Sequence, residues 1–227
     1  MAAKPAPPRP VPRLYLAMPA MDDPAPLAAN LAGLLAGADV AAVLVRLKPA
    51  DPRGMLTRIK ALAPAVQQSG AALLIDGNVD LVARAGADGA HLTGIEALQE
   101  ALPTLKPDRI AGVGGLITRH DSMTAGEAGA DYVLFGEPDR HGNRPSAEAI
   151  AERLQWWAEL FEPPCVGFAA TFDEARAFAA AGADFVLVDE VIWNDPRGAA
   201  AALMDAQQAI GQGHAMSGTS RPGMMPA

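Results

Sequence analysis

Apolar residues gather in short, nearly unbroken runs: RLYLAM from Arg13, VAAVLVRL from Val40, AALLI from Ala71, GAHL from Gly89, RIAGV from Arg109, YVLF from Tyr132, CVGFA from Cys165 and FVLV from Phe185. Half-exposed strands alternate apolar with polar residues, whereas strands covered on both faces read as continuous apolar runs, the habit of parallel sheets. Amphipathic stretches fill the gaps, among them DPRGMLTRIKALAPAVQQ, SAEAIAERLQWWAELF, TFDEARAFAAA and DPRGAAAALMDAQQAI. Several open on a Ser, Thr or Asp cap, and Thr171 with Glu174 has the spacing of a capping box.

The tetrapeptide AGAD recurs at Ala36 to Asp39, Ala85 to Asp88, Ala128 to Asp131 and Ala181 to Asp184, each copy directly ahead of an even-numbered strand. Its glycine suits the left-handed position just past a helix, so each copy predicts a helix end. Each interval holds two strand–helix units. Four double units with one junction predict a single (β/α)8 TIM barrel over residues 13–210 rather than an open doubly wound sheet. Residues 1–12 read as a Pro-rich flexible arm, and residues 211–227, rich in Gly, Ser and Pro, as a flexible tail.

The net charge of -8 argues against nucleic acid as a partner. The lone cysteine, Cys165, provides neither a disulfide framework nor a thiolate zinc site and fits a reducing cytoplasm. MAAKPAPPRPVP has no apolar core of a secretion signal, and no apolar run reaches the roughly 18 residues of a membrane span. Trp156 and Trp157 are adjacent on one helix, so one is left for solvent or a homodimer contact.

In a barrel, chemistry sits at the C-terminal ends of the strands. Polar residues there are Arg46 and Lys48, Asp76 and Asn78, His91, Thr93 and Glu96, Arg119 and His120, Glu137, Asp139, Arg140, His141, Asn143 and Arg144, and Asp189 and Glu190. Residues two apart share a strand face, so Arg46 and Lys48 read as two inward cations for a phosphorylated ligand, or as one ion pair with Asp76 and one solvated rim lysine. Asp76, Glu96 and Asp189 are candidates for magnesium, and equally for helix caps. His91 reads as an inner-layer histidine or an acid–base group, while His120 and His141 read as catalytic or simply solvated.

Taken in order, these segments resemble the thiamine-phosphate synthase family, including its thiazole tautomerase relatives. LYLAMP from Leu14 is similar to the family's LYLVTD, VLVRLK from Val43 to VQLREK, IDGN from Ile75 to INDR, GADGAHLTGIE from Gly86 to GADGVHLGQED, and AGADFVLV followed by Asp195-Pro196 to the family's closing strand. The resemblance implies a barrel that joins a pyrimidine diphosphate to a thiazole phosphate with release of diphosphate, aided by Mg2+. It implies catalytic roles for Arg46, Lys48, Asp76 and Arg144, and magnesium on Asp76 and Glu96; His120, which lies several residues past the family's tautomerase histidine, is a catalytic candidate from its place after strand five alone. Phosphate binding falls on Ala169, Ala170, Thr171, Asp189 and Glu190, and substrate binding on Asn78, His91, His141 and Asn143.

The chain also departs from that pattern. Gly114 replaces the strand-five serine, GEPDRHGNR from Gly136 stands in place of GPVFPTxTK, and Ala169-Ala170 replace the Gly-Gly of AIGGI. Three readings follow: a divergent synthase acting on phosphorylated thiamine precursors, a non-catalytic binding or regulatory barrel with a degraded diphosphate and metal site, or an enzyme with new chemistry through Arg119, His120, Asp139 or His141.

Overall fold

The computed structural model describes residues 9–217. Eight parallel strands close into a barrel in sequence order: β1 (Arg13–Ala17), β2 (Val40–Val45), β3 (Ala72–Asp76), β4 (Gly89–Thr93), β5 (Ile110–Gly114), β6 (Tyr132–Phe135), β7 (Cys165–Ala169) and β8 (Phe185–Val188), with β8 pairing back onto β1. The helices are α1 (Ala25–Ala36), α2 (Pro52–Gln68), α3 (Val79–Ala85), α4 (Ile95–Leu105), α5 (Arg119–Ala128), α6 (Ala147–Leu160), α7 (Phe172–Ala180), the short α8 (Glu190–Trp193) and α9 (Ala199–Ser217). The barrel predicted from the apolar runs is the barrel found.

Both faces of the strands are buried, which explains the unbroken runs. Outward residues such as Leu16, Val43, Leu73 and Val186 pack beneath the helices, while Tyr15, Leu44, Leu74, Tyr132, Leu134, Phe168 and Leu187 fill the barrel interior. All four AGAD copies lie at helix ends, and Gly86, Gly129 and Gly182 have φ of 71°, 98° and 95°. Gly37 is the exception: at φ -86° it continues the right-handed turn, its N–H reaching the Leu34 carbonyl.

The aspartate of the repeat has a structural task. Asp88 Oδ2 accepts from Leu73 N, Asp131 Oδ2 from Ala111 N, and Asp184 Oδ2 from Cys165 N, so each secures the start of the preceding odd strand. In the first copy Asp39 instead pairs with the Arg13 guanidinium at 2.7 Å.

Both termini differ from expectation. Of the predicted arm, residues 1–8 lie outside the described residues, but the Arg9 guanidinium donates to the carbonyls of Gly182 and Ala158, anchoring the chain ahead of β1. The predicted tail starts too early. Helix α9 runs through Ser217, because its small residues let it lie close against α7: a side chain at Gly213 would collide with the Arg176 carbonyl. Residues 218–227 lie outside the described part. Helix α9 begins at Ala199 rather than directly after Asp195, since Asp195 and Gly198 close a turn first. Of the tryptophan pair, Trp157 is fully buried and donates to the Pro163 carbonyl, while the Arg119 guanidinium covers half-buried Trp156.

Candidate functional site

Each inward row of side chains continues past its strand to the barrel mouth. Arg46 lies two residues beyond Leu44, Asp76 two beyond Leu74, and Asp189 two beyond Leu187, so residues on three separate strands converge. Arg46 pairs with Asp76 at 3.6 Å and in a tight contact with Asp189, which is almost wholly buried. Burial raises the Asp76 carboxyl above its ordinary value, outweighing the attraction of His91 and Arg46.

Lys48 does not follow Arg46 inward. Strand β2 ends at Val45, the parity of a strand is lost beyond it, and Lys48 is exposed and paired with Asp22 at 2.8 Å. The two expected inward cations are one inward arginine and one rim lysine.

Below Arg46 a hydrogen-bonded line crosses the interior. The chain's two tyrosines meet, Tyr15 Oη to Tyr132 Oη at 2.9 Å, and Tyr132 Oη lies 2.9 Å from His91 Nδ1. His91 Nε2 lies 3.2 Å from Glu137 Oε2. His91 is 1% exposed and the Glu137 side chain 15%, so the line ends at a carboxylate that just reaches the mouth. Burial pushes both phenols well up, keeping them protonated. For Glu137, burial raises the carboxyl, but the attraction and hydrogen bond of His91, with Arg46 nearby, outweigh it and hold it below the usual range.

Two glycines make this line fit. A Cβ at Gly112 would enter the Tyr132 ring, and one at Gly114 would strike the Glu137 carboxylate. The sequence marks both: glycines two apart on a buried strand face one way and vacate space there.

The strand-seven side of the mouth is satisfied from within. Arg144 donates to the carbonyls of Gly136 (3.0 Å) and Phe168 (2.8 Å) and to Glu174 Oε2 (2.9 Å), while Glu174 Oε2 also accepts from Ala170 N at 2.8 Å. Thr171 caps α7 by accepting from Glu174 N at 3.1 Å, but the carboxylate reaches Ala170 instead of closing the box on Thr171. Ala169 is fully buried, so its side chain is closed to a ligand, and Glu190 is exposed at the start of α8.

The remaining candidates spread outward. Asn78 (φ 29°) bonds the Asp76 carbonyl ahead of α3, and Glu96 is exposed in the first turn of α4. His120 is exposed in the first turn of α5. His141 meets Arg140 at 3.1 Å, and Asp139 holds its own loop through the N–H groups of His141 and Asn143. The structure therefore joins Arg46, Asp76, His91 and Asp189 and leaves His120, His141 and Asn143 at the surface. Tyr15, Tyr132 and Glu174 are the participants that sequence reasoning left out of the site, and Glu137 was placed on this face without a role. Among the described residues no three His, Cys, Asp or Glu side chains form a metal cluster.

Residues 14–192 match the family model described as thiamine monophosphate synthase. The chain belongs to the thiamine-phosphate synthase family. Among curated members it is similar to the thiamine-phosphate synthase of Rhodospirillum centenum, 41% identical over 85% of this chain and 95% of that protein. The thiamine-phosphate synthase of Hyphomonas neptunium is 35% identical over 87% of this chain and 93% of that protein. Among solved structures, thiamine phosphate pyrophosphorylase from Pyrococcus furiosus superposes with a TM-score of 0.74 at 21% identity, covering 88% of this chain and 96% of that one. That last likeness bears on the fold alone. The synthase-family resemblance read from the motifs and the barrel are both borne out. No helix among the described residues is long and apolar enough to cross a membrane.

Proposed function

We propose that this chain is a working thiamine-phosphate synthase: it joins a pyrimidine diphosphate to a thiazole phosphate and releases diphosphate. The observation that carries the reading is Arg46, held at the centre of the mouth by Asp76 and Asp189. A guanidinium fixed in a water-poor site stabilises charge developing on a leaving diphosphate without having to reorganise. Lys48 at the rim adds attraction for an anionic substrate, with less weight because its charge is solvated. Asn78 at the mouth supports substrate contact.

Magnesium fits this mouth as an ion held by one or two carboxylates and the substrate's own phosphates, its usual mode. Asp76, partly exposed at the mouth, is the side chain to hold it, because desolvation there disfavours its charge and a cation would relieve that cost; Glu96 would contribute from the rim. When bound, the ion would supply neutralisation of the diphosphate.

The test is magnesium-dependent release of diphosphate from the pyrimidine diphosphate when thiazole phosphate is added. Turnover in the native chain, reduced about 100-fold or more in Arg46→Met and much less in Lys48→Met, is the expected result. No turnover at saturating substrates and magnesium would remove the reading.

A second reading, binding without turnover, is favoured by Glu174, which already occupies Arg144 and the Ala170 N–H where the family's phosphate site falls. Thermal stabilisation by thiazole phosphate without diphosphate release would select it.

A further inference from the structure

Position 114 holds no side chain, and the space that one would fill contains the carboxylate of Glu137. The two residues lie on different elements, Gly114 at the end of β5 and Glu137 in the loop after β6, so the fit is one of tertiary packing. Both are also places where the chain departs from its family's motifs, a glycine for the strand-five serine and a glutamate for the loop proline. One departure makes room for the other.

The carboxylate is held, not merely accommodated. An ionised carboxylate only accepts, so His91 Nε2 carries the proton of their 3.2 Å contact. With one proton on the ring, Nδ1 accepts from the Tyr132 hydroxyl, which accepts in turn from Tyr15. Three donors meet three acceptors.

This anchoring occupies Oε2. Among the described residues no hydrogen bond engages Glu137 Oε1, although the side chain is only 15% exposed. A nearly buried carboxylate oxygen with free acceptor capacity at the floor of a mouth discriminates strongly, because a ligand that covers it without donating leaves it unpaired.

We propose that Glu137 is a specificity-determining residue of the site, accepting a hydrogen bond from an N–H group on the ring of the substrate. Gly114 provides its seat and His91 is its positioning residue. The assignment rests on the synthase reading for the identity of the ring, a nitrogen heterocycle, and adds that the ring presents an N–H donor, while Arg46 takes the anionic end.

The experiment uses the full chain with two small probes, 4-aminopyrimidine and pyrimidine, followed by the His91 ring 15N signals in NMR; His91→Gln assigns those signals. In the native chain 4-aminopyrimidine shifts them at least tenfold more effectively than pyrimidine does. Glu137→Leu abolishes the preference, and Gly114→Ala, which evicts the carboxylate while leaving Glu137 in the chain, does the same. Glu137→Gln, whose one amide oxygen is taken by the His91 Nε2 proton, presents an NH2 donor where Oε1 stood and loses the preference while keeping that proton on Nε2. Equal response to both probes in the native chain, or an unchanged preference in Glu137→Leu, would overturn the proposal. These probes carry no phosphate, so an intact preference without any diphosphate release would sink the synthase reading and leave the role of Glu137 standing.

Discussion

Glu137 and Cys165 are two buried acids whose environments push in opposite directions. The Glu137 carboxyl lies below its ordinary value, so its contribution to stability is fully present above that value and is lost as pH falls through the lower folded one. Urea unfolding should therefore show the native chain more stable than Glu137→Gln at pH 7, with the gap closing in acid; a constant gap would mean that the carboxylate gains nothing from His91. Burial, reinforced by Asp184, pushes the Cys165 thiol up to about 12. Because the folded state keeps a proton that the unfolded chain gives up, stability falls as pH rises from the thiol's ordinary value toward 12. At pH 8 a thiol reagent should label Cys165 only as fast as the protein opens, and labelling in seconds under native conditions would refute that burial. At this scale the site was partly legible. Arg46, Asp76 and Asp189 continue inward rows of leucines and could be placed by parity. Glu137 could not, because it sits on a loop and its significance depends on a glycine 23 residues away in the sequence.

Among the elements, the odd strands depend on aspartates that belong to their neighbours. Asp184→Ala leaves the buried Cys165 N–H without its acceptor, and Asp131→Ala does the same to Ala111 N. Each should cost about 1–3 kcal/mol in chemical denaturation. Asp39→Ala should cost less, since its partner is an exposed arginine and surface pairs contribute little; equal losses at all three positions would contradict the distinction. The repeat was visible in the letters, and its glycine pointed correctly to helix ends. The role of the aspartate was not, because it is satisfied by a backbone N–H on the preceding strand, which no local pattern reveals. Lys48 was misplaced for a related reason. Alternation holds only while the ladder lasts, and β2 stops three residues short of it.

For the whole molecule, the barrel was legible because eight buried strands leave eight unbroken apolar runs, whereas the C-terminal boundary was misread from composition. Gly, Ala and Ser after Ile210 look like a linker, yet they continue a helix, and the buried Gly213 among them lets α9 approach α7 closely. Truncation after Ile210 should therefore lower the midpoint of thermal unfolding by several degrees, on the order of the shift that about 1 kcal/mol produces in a domain of this size. An unchanged midpoint would return residues 211–217 to the status of a tail. The packing of Gly114 against Glu137 also bears on how such a barrel can diverge. A Cβ at 114 forces the Glu137 carboxylate out of its seat, while Glu137 can shorten with Gly114 still in place. The two changes are therefore unequal, since a side chain at 114 unseats the carboxylate whether or not the glutamate is kept.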